Sequence, residues 1–148
     1  MPYVVETCIG LDLMFLEVFS NAIKEETLEK NTTRTVLKLP AVLAPSKAAV
    51  LPLVKKDGLP EIARKIVDDL KWDFNVTYDE KDAVGRRYRR QDAAGTPFCI
   101  TVDHDTLTDD SVTIRNRDTM DQQRVKISEV KAIIKAEVDM KHWLERMR

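Results

Sequence analysis

The chain has 148 residues, 43% hydrophobic and 33% charged, which suits one ordinary core in a globular domain. Its 24 basic and 25 acidic residues leave a formal net charge of −1, so any nucleic-acid-binding surface must be a local patch. Four glycines, at 10, 58, 85 and 95, compose neither a G-x-G-x-x-G nor a G-x-x-x-x-G-K-[ST] loop, which excludes a dinucleotide fingerprint and a P-loop.

Tyr3-Val4-Val5 opens the chain as a short extended run. After Gly10, Leu11, Phe15, Leu16, Phe19 and Ile23 recur at helical spacing, with Leu13, Met14 and Val18 beside them. A helix so apolar needs cover on more than one side. Without it, the helix is expected to pack on the rest of the chain or to self-associate. Residues 24–35 are polar and aperiodic and read as a linker at a domain boundary. Ala48 to Val54 is a continuous apolar run, as in a strand buried on both faces, and Pro52 places its end nearby. Asp57-Gly58 is a turn and Pro60 suits a first helical turn. Ile62, Ala63, Ile66, Val67 and Leu70 then make one helical stripe.

Phe74, Val76 and Tyr78 alternate with polar residues as in a strand, and 80–93 read as a short polar helix. Phe98, Ile100 and Val102 form the next strand, followed by Val112 with Ile114 and by Val125 with Ile127. Ser128 is placed to cap a last helix whose inward residues are Val130, Ile133, Ile134, Val138 and Met147. The order from 48 is β-α-β-α-β-β-β-α, an α/β domain with a mixed sheet and helices packed on it.

Three clusters could carry chemistry. Between Lys81 and Gln91, five positive charges stand against one negative, and Arg86, Arg87, Arg89 and Arg90 surround Tyr88. Guanidinium forks suit phosphates and a tyrosine ring suits a base, although a solvated helix face would look the same. Along Val112-Thr113-Ile114-Arg115-Asn116-Arg117 side chains alternate, so Thr113, Arg115 and Arg117 share the face opposite the core. Followed by Asp118, Gln122 and Gln123, they compose either a base-reading surface or a charged edge strand. Asp103-His104-Asp105 resembles a metal triplet, but neighbours on a strand point to opposite faces and cannot converge. His142 has no second ligand nearby. Cys8 and Cys99 make no disulfide framework and neither has a histidine close in sequence. No apolar run approaches the roughly 20 residues of a membrane span, so the expected compartment is the cytoplasm.

Longer blocks add a resemblance. Pro2-Tyr3-Val4-Val5-Glu6-Thr7-Cys8-Ile9-Gly10-Leu11-Asp12 is similar to the last catalytic motif of class II aminoacyl-tRNA synthetases in its glycyl form. Leu39 to Pro45, Val50 to Leu53, Gly85 to Tyr88, and Arg115 to Met120 with Gln122 or Gln123 resemble the C-terminal anticodon-binding domain of the homodimeric glycyl-tRNA synthetases. The resemblance implies a remnant of a catalytic domain at 1–23, a linker at 24–35 and an anticodon-binding domain at 36–148, built as a mixed five-stranded sheet flanked by about three helices.

The family ligates glycine to tRNA with ATP and Mg, using further motifs that these residues do not supply, so the chain by itself is expected to be inactive and to need no cofactor. Glu6 falls on the glutamate that holds the glycine amino group, Cys8 where many members have serine, and Leu13 where an arginine contacts ATP. Leucine offers neither charge nor donor. The expected anticodon contacts are Arg115, Arg117, Asp118 and Gln122 to bases and Arg86, Arg87 and Arg90 to backbone, with no metal site. The partners implied are the glycine tRNA anticodon loop, the catalytic domain and a second copy. A non-catalytic accessory or interaction protein built on the same domain is the alternative, and the loss of the arginine at Leu13 points towards it.

Overall fold

A computed structural model describes residues 3–28 and 32–146. The elements run α1 (Leu11–Ala22), β1 (Ile23–Leu28), β2 (Thr32–Leu37), β3 (Ala48–Pro52), α2 (Leu59–Leu70), β4 (Val76–Tyr78), α3 (Val84–Ala94), β5 (Phe98–Val102), α4 (Thr106–Asp109), β6 (Ser111–Asn116), β7 (Gln122–Lys126), α5 (Ile127–Val138) and α6 (Met140–Glu145). Five strands form one mixed sheet in the order β4-β3-β5-β6-β7. β3 is parallel to β4 and β5, and β5-β6-β7 are antiparallel.

Strand alternation divides the sheet into two unlike faces. Ala48, Val50, Phe98, Ile100, Val102, Val112, Ile114 and Val125 point to one side, against Leu59, Ala63, Ile66 and Leu70 of α2 and Val130 and Ile134 of α5. That is the main core, and its apolar spacing in sequence is the cause of both helices docking there. On the opposite side Ala49, Leu51 and Cys99 are covered by Tyr88 of α3. α2 and α3 therefore lie on opposite faces, and the chain reverses direction at β3, which sends one connection to each side.

Residues 24–28 and 32–35 are not a linker: they belong to β1 and β2, which pair antiparallel, with Ile23 opposite Leu37. Val36 is fully buried and Arg34 nearly so, which ties the pair to α3 rather than leaving it in solvent. The polar composition concealed this, because the anchor is a buried arginine and not an apolar stripe. Gly95 ends α3 in the left-handed region (φ 80°), and a Cβ there would stand 3.2 Å from the Leu37 carbonyl oxygen. Only glycine meets both demands.

Smaller corrections have local causes. Tyr3-Val4-Val5 is exposed and joins no strand ladder. The polar helix starts at Val84, not 80, because Asp82 adopts a left-handed turn (φ 73°). Ile127 opens α5 instead of closing β7, and Ser128 makes no cap: the Glu129 carboxylate accepts the Lys126 backbone N–H at 3.3 Å. α5 stops at Val138, and Asp139 caps α6 by accepting the Lys141 backbone N–H at 2.8 Å. Met147 lies outside the described residues. Along α1 only Ala22 is buried, with Leu37 and Leu39. Leu11, Phe15 and Leu16 stay exposed beside a groove completed by Leu39, Leu43 and Pro45. Among the described residues no helix is long and apolar enough to cross a membrane.

Candidate nucleic-acid interface

α3 covers only the β3–β5 half of its face of the sheet. Beyond it the same face carries Thr113 on β6 and Gln122, Arg124 and Lys126 on β7, opposite Arg115, Thr113 and Ser111 in the ladder. Gln122, Arg124 and Lys126 are exposed. The open half-sheet is thus polar, and it ends in a cleft of about 300 Å³ lined by Leu53, Val84, Tyr88, Thr101, Asp103, Thr113 and Gln122. Leu53 follows β3 and Asp103 follows β5, so the cleft lies outside the carboxyl ends of these two parallel strands, the side on which open α/β sheets take ligands.

The arginines expected to face a ligand divide into two groups. Arg115 is buried and bidentate to Asp92, at 2.8 and 3.1 Å, with its guanidinium 4.9 Å from the centre of the Tyr88 ring. Arg117 is buried and donates to the carbonyls of Gly95 and Leu39, both at 2.8 Å, and to Asp118. Arg87 is buried and donates to the carbonyls of Pro52 at 2.7 Å and Asp79 at 3.1 Å, closing the ends of β3 and β4, while its Nε has no partner. These three hold the fold's loops and strand ends, and their forks point inward. Alternation put Arg115 on the stated face; what the pattern did not show is that α3 delivers Asp92 to the same place.

Arg86, Arg90, Asp118 and Gln122 are exposed. Arg90 is occupied by Asp79 and Asp82. Arg89 donates to the Thr33 carbonyl at 2.7 Å. Arg86 has no side-chain partner among the described residues, nor do Lys81 or the pair Lys55 and Lys56 in the loop after β3. The two lysines were missed because they follow an apolar run; they stand in the loop that leaves β3 just after Leu53, which lines the cleft. Glu6, Cys8 and Leu13 are exposed and assemble no pocket.

Asp103, His104 and Asp105 lie past the end of β5, in the turn that leads into α4, so strand alternation does not apply to them; they part because each goes to its own neighbours, Asp103 to Arg124 and His104 towards Asp57 at 3.9 Å. Asp103 is paired with Arg124, and burial, which would raise its carboxyl, is outweighed by Arg124 and Thr106, which hold it below its usual range. Among the described residues no group of three or more His, Cys, Asp and Glu is placed to hold a metal ion.

Residues 47–137, the whole sheet with α2, α3 and most of α5, match the family model of the anticodon binding domain. The chain belongs to the anticodon-binding domain family. A glycine–tRNA ligase of Rhodopirellula baltica is 57% identical over 134 residues, 88% of this chain and 25% of that protein. One from Clostridium beijerinckii is 51% identical over 94% of this chain and 30% of its own length. The chain thus spans between a quarter and a third of the curated relatives it matches. The RNA binding domain of threonyl-tRNA synthetase from Cryptosporidium parvum superposes with a TM-score of 0.61 at 22% identity, over 68% of this chain and 25% of the other, and supports the same fold.

Proposed function

We propose that this chain serves as the tRNA anticodon-binding domain of a glycine–tRNA ligase. The similarity to such ligases across about nine-tenths of the chain carries the reading. The surface chemistry supports it. Unpaired anticodon bases expose their edges and faces, and a polar half-sheet beside an aromatic ring suits them. Arg86, Lys81, Lys55 and Lys56 are the cations free to meet phosphates, in place of the inward-pointing Arg87, Arg115 and Arg117. The partners of this reading are glycine tRNA, the rest of the ligase and a second copy, and its compartment is the cytoplasm.

ATP and Mg serve the whole ligase. The residues here do not fit a nucleotide: exposed Glu6 and Cys8 frame nothing, and Leu13 offers neither charge nor hydrogen-bond donor. Exposed Leu11, Phe15 and Leu16 on α1 give the alternative, an interaction protein, its one structural support.

Titration of the chain with glycine tRNA, an unrelated tRNA and primer–template DNA, across a salt series, separates the two. Tighter binding of glycine tRNA is expected. Arg86→Ala should make the salt slope shallower by about 0.7 for each phosphate it neutralises on a single strand. Equal affinity for all three nucleic acids would refute the reading.

A further inference from the structure

α1 runs into β1 without an intervening residue, so the β1–β2 pair carries the helix. The Lys38 backbone N–H donates to the Ala22 carbonyl at 2.7 Å, and Ala22 packs with Leu37 and Leu39, which ties the end of α1 to the end of β2. The station of α1 is therefore set by whatever holds the strand pair. We infer that Arg34 is that pin: through Asp92 it fixes β1 and β2 in one position against α3, so that α1 and the polar half-sheet move as a single rigid body. This joint is independent of the RNA reading above.

The strand pair has little else to position it. Both strands are mostly polar, and the buried residues of β2 before Leu37 are Arg34 and Val36. A ribbon with polar faces specifies its register weakly, because a slip withdraws no apolar stripe from the core. Val36 contributes apolar burial, which has no direction. Arg34 supplies the direction. Its guanidinium donates to Glu26 of β1 from Nε at 2.8 Å and Nη2 at 2.5 Å, and from Nη1 to Asp92 of α3 at 3.0 Å and to the Arg117 carbonyl at 3.3 Å. One planar group thus joins both strands to α3 and to the segment after β6. Asp92 extends the connection to Arg115 of β6, at 2.8 and 3.1 Å.

Neighbouring contacts follow the same placement. Arg89 donates to the Thr33 carbonyl at 2.7 Å, and Gly95 lets the Leu37 carbonyl approach. Arg89, Asp92 and Gly95 stand three residues apart along α3, matched to Thr33, Arg34 and Leu37. A slip of one residue would turn Arg34 outward and lose every one of these pairings. Fixing one arrangement is the best-attested use of a buried ionic cluster, which contributes little net stability against an apolar substitute. α1 is 12 residues long, about 18 Å, so a tilt of about 10° in the strand pair displaces its first turn by about 3 Å. Any body that covers the exposed Leu11, Phe15 and Leu16 is thereby held in one orientation to the half-sheet.

Arg34 is also the member of the cluster whose removal leaves the others paired: Asp92 keeps Arg115, and Glu26 keeps Lys38. The experiment uses the full chain with Cys8→Ser, Asp12→Cys and Lys65→Cys, nitroxide labels on the introduced thiols of α1 and α2, and Cys99 left buried and unlabelled. Asp12 and Lys65 are exposed. Pulsed dipolar electron paramagnetic resonance reads the distance distribution between the labels, and circular dichroism against urea reads folding. With Arg34 in place the distribution should be single and narrow. Arg34→Met should keep a cooperative urea transition and broaden or split the distribution by at least about 3 Å, the rise of one strand residue. Arg34→Lys, which keeps the charge but loses the fork, should broaden it as well, and decides alone if Arg34→Met does not fold.

A lowered urea midpoint with a distribution that stays narrow would show that Arg34 only stabilises, and overturns the inference. A broad distribution with Arg34 in place overturns it equally.

Discussion

Asp92 is the residue whose loss should matter most. It accepts three guanidinium hydrogen bonds, from Arg34 at 3.0 Å and from Arg115 at 2.8 and 3.1 Å. The side chains of Asp92 and Arg34 are each 1% exposed and that of Arg115 is 7% exposed, so solvent cannot replace a lost partner. Asp92→Asn preserves shape but leaves one acceptor oxygen for three donors and deprives buried Arg115 of its counter-charge, whereas Arg34 keeps Glu26 at 2.5 Å. Breaking a buried pair by removing one partner costs about 3–5 kcal/mol. With a urea m-value of about 2 kcal/mol/M, the midpoint should fall by roughly 2 M at unchanged m. Asp118→Asn is the matched control: its pair with Arg117 is half exposed, and exposed pairs contribute at most about 1 kcal/mol.

The hydrophobic substitute Arg34→Met with Asp92→Leu and Arg115→Met should recover much of the loss, because the desolvation of three charges goes with them. Circular dichroism against urea reads all four proteins. A midpoint for Asp92→Asn within about 0.5 M of the unaltered protein would refute the argument that these arginines are held as framework, and would return Arg115 to the set of groups free to face RNA.

The remaining expectations concern thiols and acid. Burial pushes the Cys99 thiol up to about 12, despite the opposing Arg115, whereas Cys8 is exposed. A thiol reagent at pH 8 should therefore label Cys8 in the native protein and Cys99 only on unfolding; equal rates for both would count against the packing of α3 on β5. Glu26 is held below its ordinary value, first by Lys38 and also by Arg34, and Asp103 is lowered by Arg124 and Thr106 against the effect of burial. Depressed carboxyls stabilise the fold above their unfolded values of about 4 and cease to do so as pH falls through the lower folded values. The midpoint of thermal unfolding should thus decline below about pH 4, and less steeply in Glu26→Gln and Asp103→Asn. Identical acid profiles in the variants would show that these pairs contribute nothing.

Periodicity alone determined most of the sheet and its core. Val50, Ile100, Val112 and Ile114 alternate as they do because one face is buried beneath α2 and α5, and the stripe from Leu59 to Leu70 has no other use. The cluster of arginines around Tyr88 and the polar residues from Thr113 to Gln122 were likewise visible as polar segments set among apolar ones. Tertiary structure alone decided which of those groups face outward. Arg34 sits in a stretch with no pattern, yet it reaches Asp92 across 58 residues of sequence. Arg115 and Arg117 are turned inward by carboxylate and carbonyl partners that no local spacing announces, and Lys55 and Lys56 gain their place only from where β3 ends. Apolar burial repeats with the backbone and can be read along the chain. A charged side chain goes wherever its partner is, and that partner is supplied by another part of the fold. The net charge of −1 therefore described the whole chain correctly and gave no information about which cations remain free at the cleft.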